Sequence, residues 1–165
     1  MGVTLAFACD RVPESMREAG DSGVGPSASQ ATRGGPGRRI EWMIAPPGTS
    51  DLPAAVRAES ARAKSAGRTL LVYVGATWCE PCKRFHEAVD QGLLDSAFPH
   101  LSVLAFDHDH DENALRTAGY VSQLIPLFAV PGEDGRASGK QIEGSIKGPG
   151  AVDQITPRLR ELIGG

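Results

Sequence analysis

The stretch "GATWCEPCKRF", residues 75–85, places two cysteines three positions apart, between an apolar run and a segment with the pattern of a helix. The preceding "RTLLVYVGA" has no polar alternation, which is typical of a strand that is buried on both faces. Cys79 therefore falls at a strand–helix junction, where the free N–H groups of the first helical turn favour a thiolate. Cys82 follows one turn later on the same side, so the two sulfurs can meet. These residues alone allow a redox pair, half of a metal site, or two small core residues.

The redox interpretation explains most of this stretch. Pro81 stiffens the turn and removes an N–H that would have lacked a partner. An outer sulfur of lowered pKa and a shielded inner sulfur form the asymmetry that thiol–disulfide exchange requires. We expect Cys79 to attack a target disulfide and Cys82 to resolve the mixed disulfide. Glu80 could tune the thiolate by repulsion, or it could simply face solvent.

Hydrophobic periodicity predicts nine elements in the order β-α-β-α-β-α-β-β-α. The predicted strands lie in "RIEWMIAPP" (39–47), "RTLLVYVGA" (68–76), "LSVLAFDHD" (101–109), "LIPLFAV" (124–130) and "GKQIEGSI" (139–146). The predicted helices lie in "SDLPAAVRAESARAKSAG" (50–67), the segment from Cys79 or Pro81 to about Gly92, "DENALRTAG" (111–119, capped by Asp111) and "AVDQITPRLRELI" (151–163). Alternating strands and helices require a central sheet covered by helices, and the close last pair of strands predicts an antiparallel hairpin at one edge.

Three motifs together resemble the thioredoxin family: "WCEPCK" after a buried strand, "LIPLF" with Ile125–Pro126, and "IEGSI" with Gly144 in the final strand. The similarity covers residues 40–165. The resemblance implies an α/β, thioredoxin-like fold with a central mixed sheet flanked by helices. It implies a cis peptide bond at Ile125–Pro126, which is credible before proline, with residue 125 offering backbone groups to an extended substrate.

By the same resemblance, the protein is a thiol–disulfide oxidoreductase whose only redox group is the Cys79–Cys82 disulfide, with no other cofactor. Trp78, Pro81 and Lys83 belong to the motif, and Trp78 is expected to form a partly exposed contact surface. The implied partners are protein disulfides and an upstream thiol reductant, and we expect a monomer. Relatives with proline before the second cysteine tend to be reductants, which favours reduction. The alternative is a non-catalytic binding module that uses the groove around Trp78 and Pro126.

One position departs from the family pattern. Many relatives carry a buried aspartate six residues before the first cysteine as proton acceptor for the resolving thiol, and here that position is Tyr73. Asp107, in the neighbouring predicted strand, aligns with the lysine that partners this aspartate in many relatives. Our hypothesis is that Tyr73 and Asp107 replace that pair. In this hypothesis burial raises the pKa of Asp107, and its carboxylate accepts the proton of Cys82. The alternative is a solvated aspartate at the end of a strand.

Two other groups of residues could in principle bind metal. Cys79, Cys82 and His86 read C-x2-C-x3-H, but no second pair of ligands stands at finger-like spacing, so His86 is expected to be a helix residue packed beside Cys82. The segment "DHDHDEN" (107–113) resembles the start of a calcium loop, but lacks glycine at the sixth position and glutamate at the twelfth. His108 and His110 would share one face only if the strand continued that far. We predict no metal.

The N-terminal part of the chain differs in composition from the rest. "GDSGVGPSASQATRGGPGRR" (20–39) offers almost no apolar side chain to bury, so residues 10–39 are expected to be a disordered tether. Residues 1–39 thus combine a truncated signal-like start with this tether, before a domain at 40–165. Val3–Ala8 followed by Cys9 resembles the end of a lipoprotein signal without its basic start, although it could be a plain apolar N-terminus. We expect an extracytoplasmic, periplasmic location with a lipid anchor at Cys9, a cytoplasmic location being the alternative. A net charge of −3 and no broad basic cluster predict no nucleic-acid binding.

Overall fold

The computed structural model describes residues 39–164. The predicted lipidation residue Cys9, and the predicted tether apart from its last residue, lie outside the described residues. Within the described range, no helix combines the length and the apolarity that crossing a membrane requires.

Nine elements follow one another in the predicted order. They are β1 (Glu41–Ile44), α1 (Leu52–Ser65), β2 (Thr69–Gly75), α2 (Glu80–Asp90), β3 (Leu101–Asp107), α3 (His108–Thr117), β4 (Leu127–Pro131), β5 (Ala137–Glu143) and α4 (Ala151–Gly164). Local chemistry sets several boundaries: Asp51 caps α1 by accepting a hydrogen bond from the Ala54 N–H at 2.9 Å. Gly67, with φ of 68°, turns the chain after α1 as a left-handed residue can.

The five strands form one mixed sheet in the order β1-β3-β2-β4-β5. β1 and β2 each pair with β3 in parallel, whereas β4 pairs antiparallel with both β2 and β5. The predicted antiparallel hairpin at one edge is therefore confirmed. Because β2 is the central strand, Cys79, which follows the C-terminal end of β2, lies near the middle of the sheet's width.

Two apolar layers cover the two faces of the sheet. On one face Tyr73, Phe85 and Phe128 pack with Ile155 and Leu159 of α4. On the other face alternate residues of β2 pack against α1 and α3, with the core members Val72, Val74, Leu52, Val56 and Leu115. This confirms that β2 is buried on both faces, which is why its sequence shows no polar alternation.

The start of α3 differs from the prediction. The helix begins at His108 and is capped by Asp107, whose Oδ1 accepts hydrogen bonds from the N–H groups of Asp109 (2.9 Å) and His110 (3.0 Å). The carboxylate of Asp111, predicted as the cap, is buried instead and accepts from the N–H groups of Gly48 and Asp107. Three alternating aspartates offer equivalent caps locally, and distant contacts engage the other two: the Gly48 N–H donates to Asp111 and the Trp78 indole N–H donates to Asp109.

Candidate redox site

Cys79 and Cys82 form a disulfide at the N-terminus of α2. Cys79 is the N-cap residue of this helix, and its sulfur lies 3.3 Å from the donating backbone N–H of Cys82. Cys79 is 4% exposed and Cys82 is 2% exposed. The pair stands where the sequence placed it, at a strand–helix junction with a backbone donor directed at the first sulfur.

Glu80 connects the loop between the cysteines to a different part of the chain. Its Oε2 accepts a hydrogen bond from the Gly148 N–H at 3.0 Å, and its Oε1 accepts one from Arg84 at 3.0 Å. The Gly148 hydrogen bond, with help from Arg84, holds the pKa of Glu80 below its usual value. Glu80 therefore carries a negative charge next to Cys79 and also fixes the loop before α4 beside the disulfide.

The Ile125–Pro126 peptide bond is cis, as the resemblance implied. The carbonyl oxygen of Ile125 lies 3.7 Å from the Cys79 sulfur. Gly144 falls one residue after β5 rather than inside the final strand, and its N–H donates to the Pro126 carbonyl at 2.9 Å. A Cβ on Gly144 would approach the Leu124 side chain to 2.9 Å, so a glycine permits this close packing behind the proline.

A groove of about 430 Å³ opens on the Cys79 side of the disulfide. Trp78, Leu124, Ile125 and Lys147 are among the residues that line it. Trp78 is 62% exposed and Leu124 is 61% exposed. The indole N–H of Trp78 donates to Asp109 at 2.8 Å, which fixes the ring at the edge of the groove. Apolar side chains that stand in solvent beside a reactive group mark a surface that can receive a partner.

A second cavity, of about 450 Å³, opens on the Cys82 side. Cys82, Tyr73, His86 and Asp107 all line it. The Tyr73 hydroxyl is buried and has no hydrogen-bond partner within residues 39–164. Burial raises the pKa of the Tyr73 phenol, so this group stays protonated at neutral pH and cannot accept a proton.

The predicted rise in the pKa of Asp107 is wrong. Partial burial does oppose ionisation, but the hydrogen bonds from the His110 N–H and ring and from the Asp109 N–H outweigh it, so the pKa is lowered. The sequence did not reveal this because it predicted Asp111 as the cap of α3, whereas Asp107, the last residue of β3, is the N-cap. A capping carboxylate is stabilised as the anion by the free N–H groups that it accepts from.

His86 was considered from the sequence only as a zinc ligand or a helix residue beside Cys82. Its ring packs edge-on against Trp42, with centroids 4.1 Å apart, and lies 5.7 Å from the Tyr73 ring. Burial lowers the pKa of His86, with Asp90 acting in the opposite direction. No group of three or more His, Cys, Asp or Glu residues in the described part of the chain is arranged to hold a metal ion.

The structure shows the architecture that the resemblance implied: a central mixed sheet flanked by helices, a helix that begins beside the cysteines, and a cis peptide bond at Ile125–Pro126. The fold is thioredoxin-like. Neither models of known protein families nor curated proteins match the chain.

Thioredoxins are among the solved structures that are similar to this thioredoxin-like chain. A poplar thioredoxin h is 22% identical, with 75% of this chain and 94% of that chain covered and a TM-score of 0.49. Thioredoxin O1 from Arabidopsis thaliana in the oxidized state is 15% identical, with 75% and 96% covered and a TM-score of 0.46. A chloroplastic thioredoxin z is 20% identical, with 77% and 96% covered and a TM-score of 0.44.

Proposed function

We propose that the protein is a thiol–disulfide oxidoreductase that reduces protein disulfides through Cys79 and Cys82. The observation that carries this proposal is the disulfide at the N-terminus of α2, where Cys79 and Ile125 of the cis peptide bond line one groove with exposed apolar side chains. A thiolate at a helix N-terminus is stabilised by the free N–H groups, which is the state that attacks disulfides.

The reaction starts from the dithiol form. The Cys79 thiolate attacks one sulfur of a substrate disulfide, and the other substrate sulfur leaves as a thiolate. Cys82 then loses its proton and attacks the Cys79 sulfur, which forms the Cys79–Cys82 disulfide and releases the second substrate sulfur. The protein is oxidised by two electrons and the substrate is reduced by two. An external thiol reductant restores the dithiol.

The groove supports a protein substrate rather than a small polar one. Trp78 and Leu124 stand exposed on its edges, and Val121 and Ile146 are exposed apolar residues on the chain segments that flank it. A partner that covers these side chains removes apolar surface from water, at about 25 cal/mol for each Å². The backbone of Ile125 is then available to an extended segment of the partner beside the Cys79 sulfur.

Insulin reduction tests the activity. With dithiothreitol as reductant, the protein should accelerate the precipitation of insulin B chains, and Cys79→Ser should reduce the rate to that of dithiothreitol alone. Cys9→Ser is the matched control, since the third cysteine of the chain takes no part in the proposed reaction. Wild-type protein no faster than Cys79→Ser would reject the enzyme in favour of a thioredoxin-fold binding module.

The proposed location is extracytoplasmic, with a lipid on Cys9 and residues 10–39 as the tether. The composition of residues 3–9 and 20–39 supports this proposal. Mass spectrometry of the protein purified from membranes of its own host should find a lipid-modified Cys9. An unmodified Cys9 peptide, recovered from the soluble cytoplasmic fraction, would contradict it.

A further inference from the structure

The cavity on the Cys82 side raises a question that the proposed reaction leaves open, which is where the proton of Cys82 goes. The resolving thiol has to ionise inside the protein, since Cys82 is only 2% exposed. A group that takes this proton must face the same space as Cys82 and must be unprotonated at neutral pH.

Three of the polar groups that line the cavity are poorly suited to accept this proton. Tyr73 keeps its proton, because burial raises its pKa. The hydrogen bonds that Oδ1 of Asp107 accepts from the Asp109 and His110 N–H groups and from the His110 ring lower the pKa of this carboxyl, which makes Asp107 a weak proton acceptor. Lys83, which also lines the cavity, is a cation and has no free acceptor.

His86 meets the requirement by its position. It lies four residues after Cys82 in α2, and side chains four residues apart on a helix are neighbours on one face. Both residues line the same cavity, whose volume of about 450 Å³ is enough for water to bridge them. The Trp42 ring, 4.1 Å from the His86 ring between centroids, and the Tyr73 ring hold the imidazole against the apolar layer.

From this geometry we propose that His86 accepts the proton of Cys82 when Cys82 attacks the mixed disulfide, directly or through one water molecule in the cavity. This inference rests on the proposed oxidoreductase function. As Cys82 attacks, its S–H proton passes to the neutral imidazole, the bond between the two cysteine sulfurs forms, and the substrate thiolate leaves. The imidazolium then releases the proton to solvent through the open side of the cavity.

The surroundings of His86 suit this role. The other titratable groups that line the cavity are Tyr73 from β2, Asp107 from the end of β3, and Lys83, Glu87 and Asp90 from α2. Burial lowers the pKa of His86 from its usual value, against the opposing effect of Asp90, which favours the neutral ring that can accept a proton. As a class, imidazoles have pKa values closer to a thiol than carboxylates do, which makes them better matched proton acceptors.

The test uses the reduced protein with one equivalent of 5,5′-dithiobis(2-nitrobenzoate), followed in a stopped-flow instrument. Attack by Cys79 releases one coloured aryl thiolate, and resolution by Cys82 releases the second, so the two steps appear as two phases. In His86→Gln the first phase should stay within about twofold of wild type, and the second should be at least about tenfold slower at pH 7.

The pH profile separates proton transfer from a structural effect. Without His86 the second phase should depend on the pre-ionised fraction of Cys82 and fall about tenfold for each pH unit below the thiol pKa. In the wild type the rate of the second phase should decrease much less steeply with falling pH, until the pH is low enough to protonate His86. Imidazole added to His86→Ala should restore the second phase, and His100→Gln, a change at an exposed histidine, should behave as wild type in both phases.

The outcomes distinguish the two proposals. Wild-type protein that releases no aryl thiolate, or only one equivalent, would reject the oxidoreductase and this inference with it. Two normal phases in the wild type, combined with an unchanged second phase and pH profile in His86→Gln, would overturn the role of His86 alone. If the first phase is also lost in His86→Gln, the imidazole experiment on His86→Ala decides: no recovery rejects the proton transfer, and recovery supports it.

Discussion

Gly75→Ala should destabilise the protein through one neighbour, the Tyr73 ring. A Cβ on Gly75 would overlap the Tyr73 hydroxyl oxygen and would lie 2.6 Å from Cζ and 2.7 Å from Cε1 of the same ring. Non-bonded heavy atoms normally stand about 3.5 Å apart or more, so the ring has to move by about 1 Å. Trp42 and Phe128, with ring centroids 4.8 Å and 5.2 Å from that of Tyr73, restrict this movement.

The expected magnitude is the difference between two effects. Overfilling a packed core costs about 1–3 kcal/mol. Against this, Gly75 is not among the residues with positive φ, so alanine at this strand position should recover about 0.5–1 kcal/mol of backbone entropy. The free energy of unfolding should therefore fall by about 0–2.5 kcal/mol, with a central expectation of about 1 kcal/mol.

Urea denaturation of four proteins checks this reasoning: wild type, Gly75→Ala, Tyr73→Leu and the double variant. Leucine lacks the far ring atoms that the new methyl group meets, so Gly75→Ala should be neutral or stabilising in the Tyr73→Leu background. The expected result is that the destabilisation by Gly75→Ala disappears in the Tyr73→Leu background, which corresponds to a coupling energy of about 1–3 kcal/mol between the two positions. If Gly75→Ala costs the same in both backgrounds, the contact with Tyr73 is not the cause and the reasoning is refuted.

Three further predictions follow from groups at the site. Tyr73→Phe removes a buried hydroxyl that has no partner among the described residues, so the free energy of unfolding should rise by about 1 kcal/mol in urea denaturation; a loss of stability would show that the hydroxyl is satisfied. Glu80→Gln removes a charge beside Cys79, so reduced protein should be alkylated by iodoacetamide about two to three times faster at pH 7; an equal or lower rate would contradict the repulsion. Asp107→Ala removes the cap of α3 and should cost about 1 kcal/mol at pH 7. Because the pKa of Asp107 is lowered in the folded state, this contribution to stability is present above the unfolded pKa of about 3.9 and is lost as the pH falls below that value. The stabilities of the wild type and Asp107→Ala should therefore converge in acid. A difference that stays constant with pH would refute the charged cap.

The sequence predicted the helices and strands well because their signals are local. The apolar run of β2 could only be a strand buried on both faces, and Asp51 and Gly67 mark the two ends of α1. The boundary between β3 and α3 was misplaced because Asp107 and Asp111 have the same capping chemistry. A contact 63 residues away in sequence, between Asp111 and Gly48, selects one of them, and no local pattern contains that contact.

By itself, the sequence determined the order of the elements and placed Cys79 and Cys82 one helical turn apart at a strand–helix junction, since both depend on residues that are neighbours along the chain. The disulfide between the two cysteines is given by the structure. The tertiary structure decided which groups share a space with each sulfur. It ties the carboxylate of Asp107 to the first turn of α3, it places the Tyr73 hydroxyl over Gly75, and it opens a cavity shared by Cys82 and His86. The physical reason is that the pKa of a side chain depends on its burial and its hydrogen-bond partners, and these are fixed only when distant segments pack against each other.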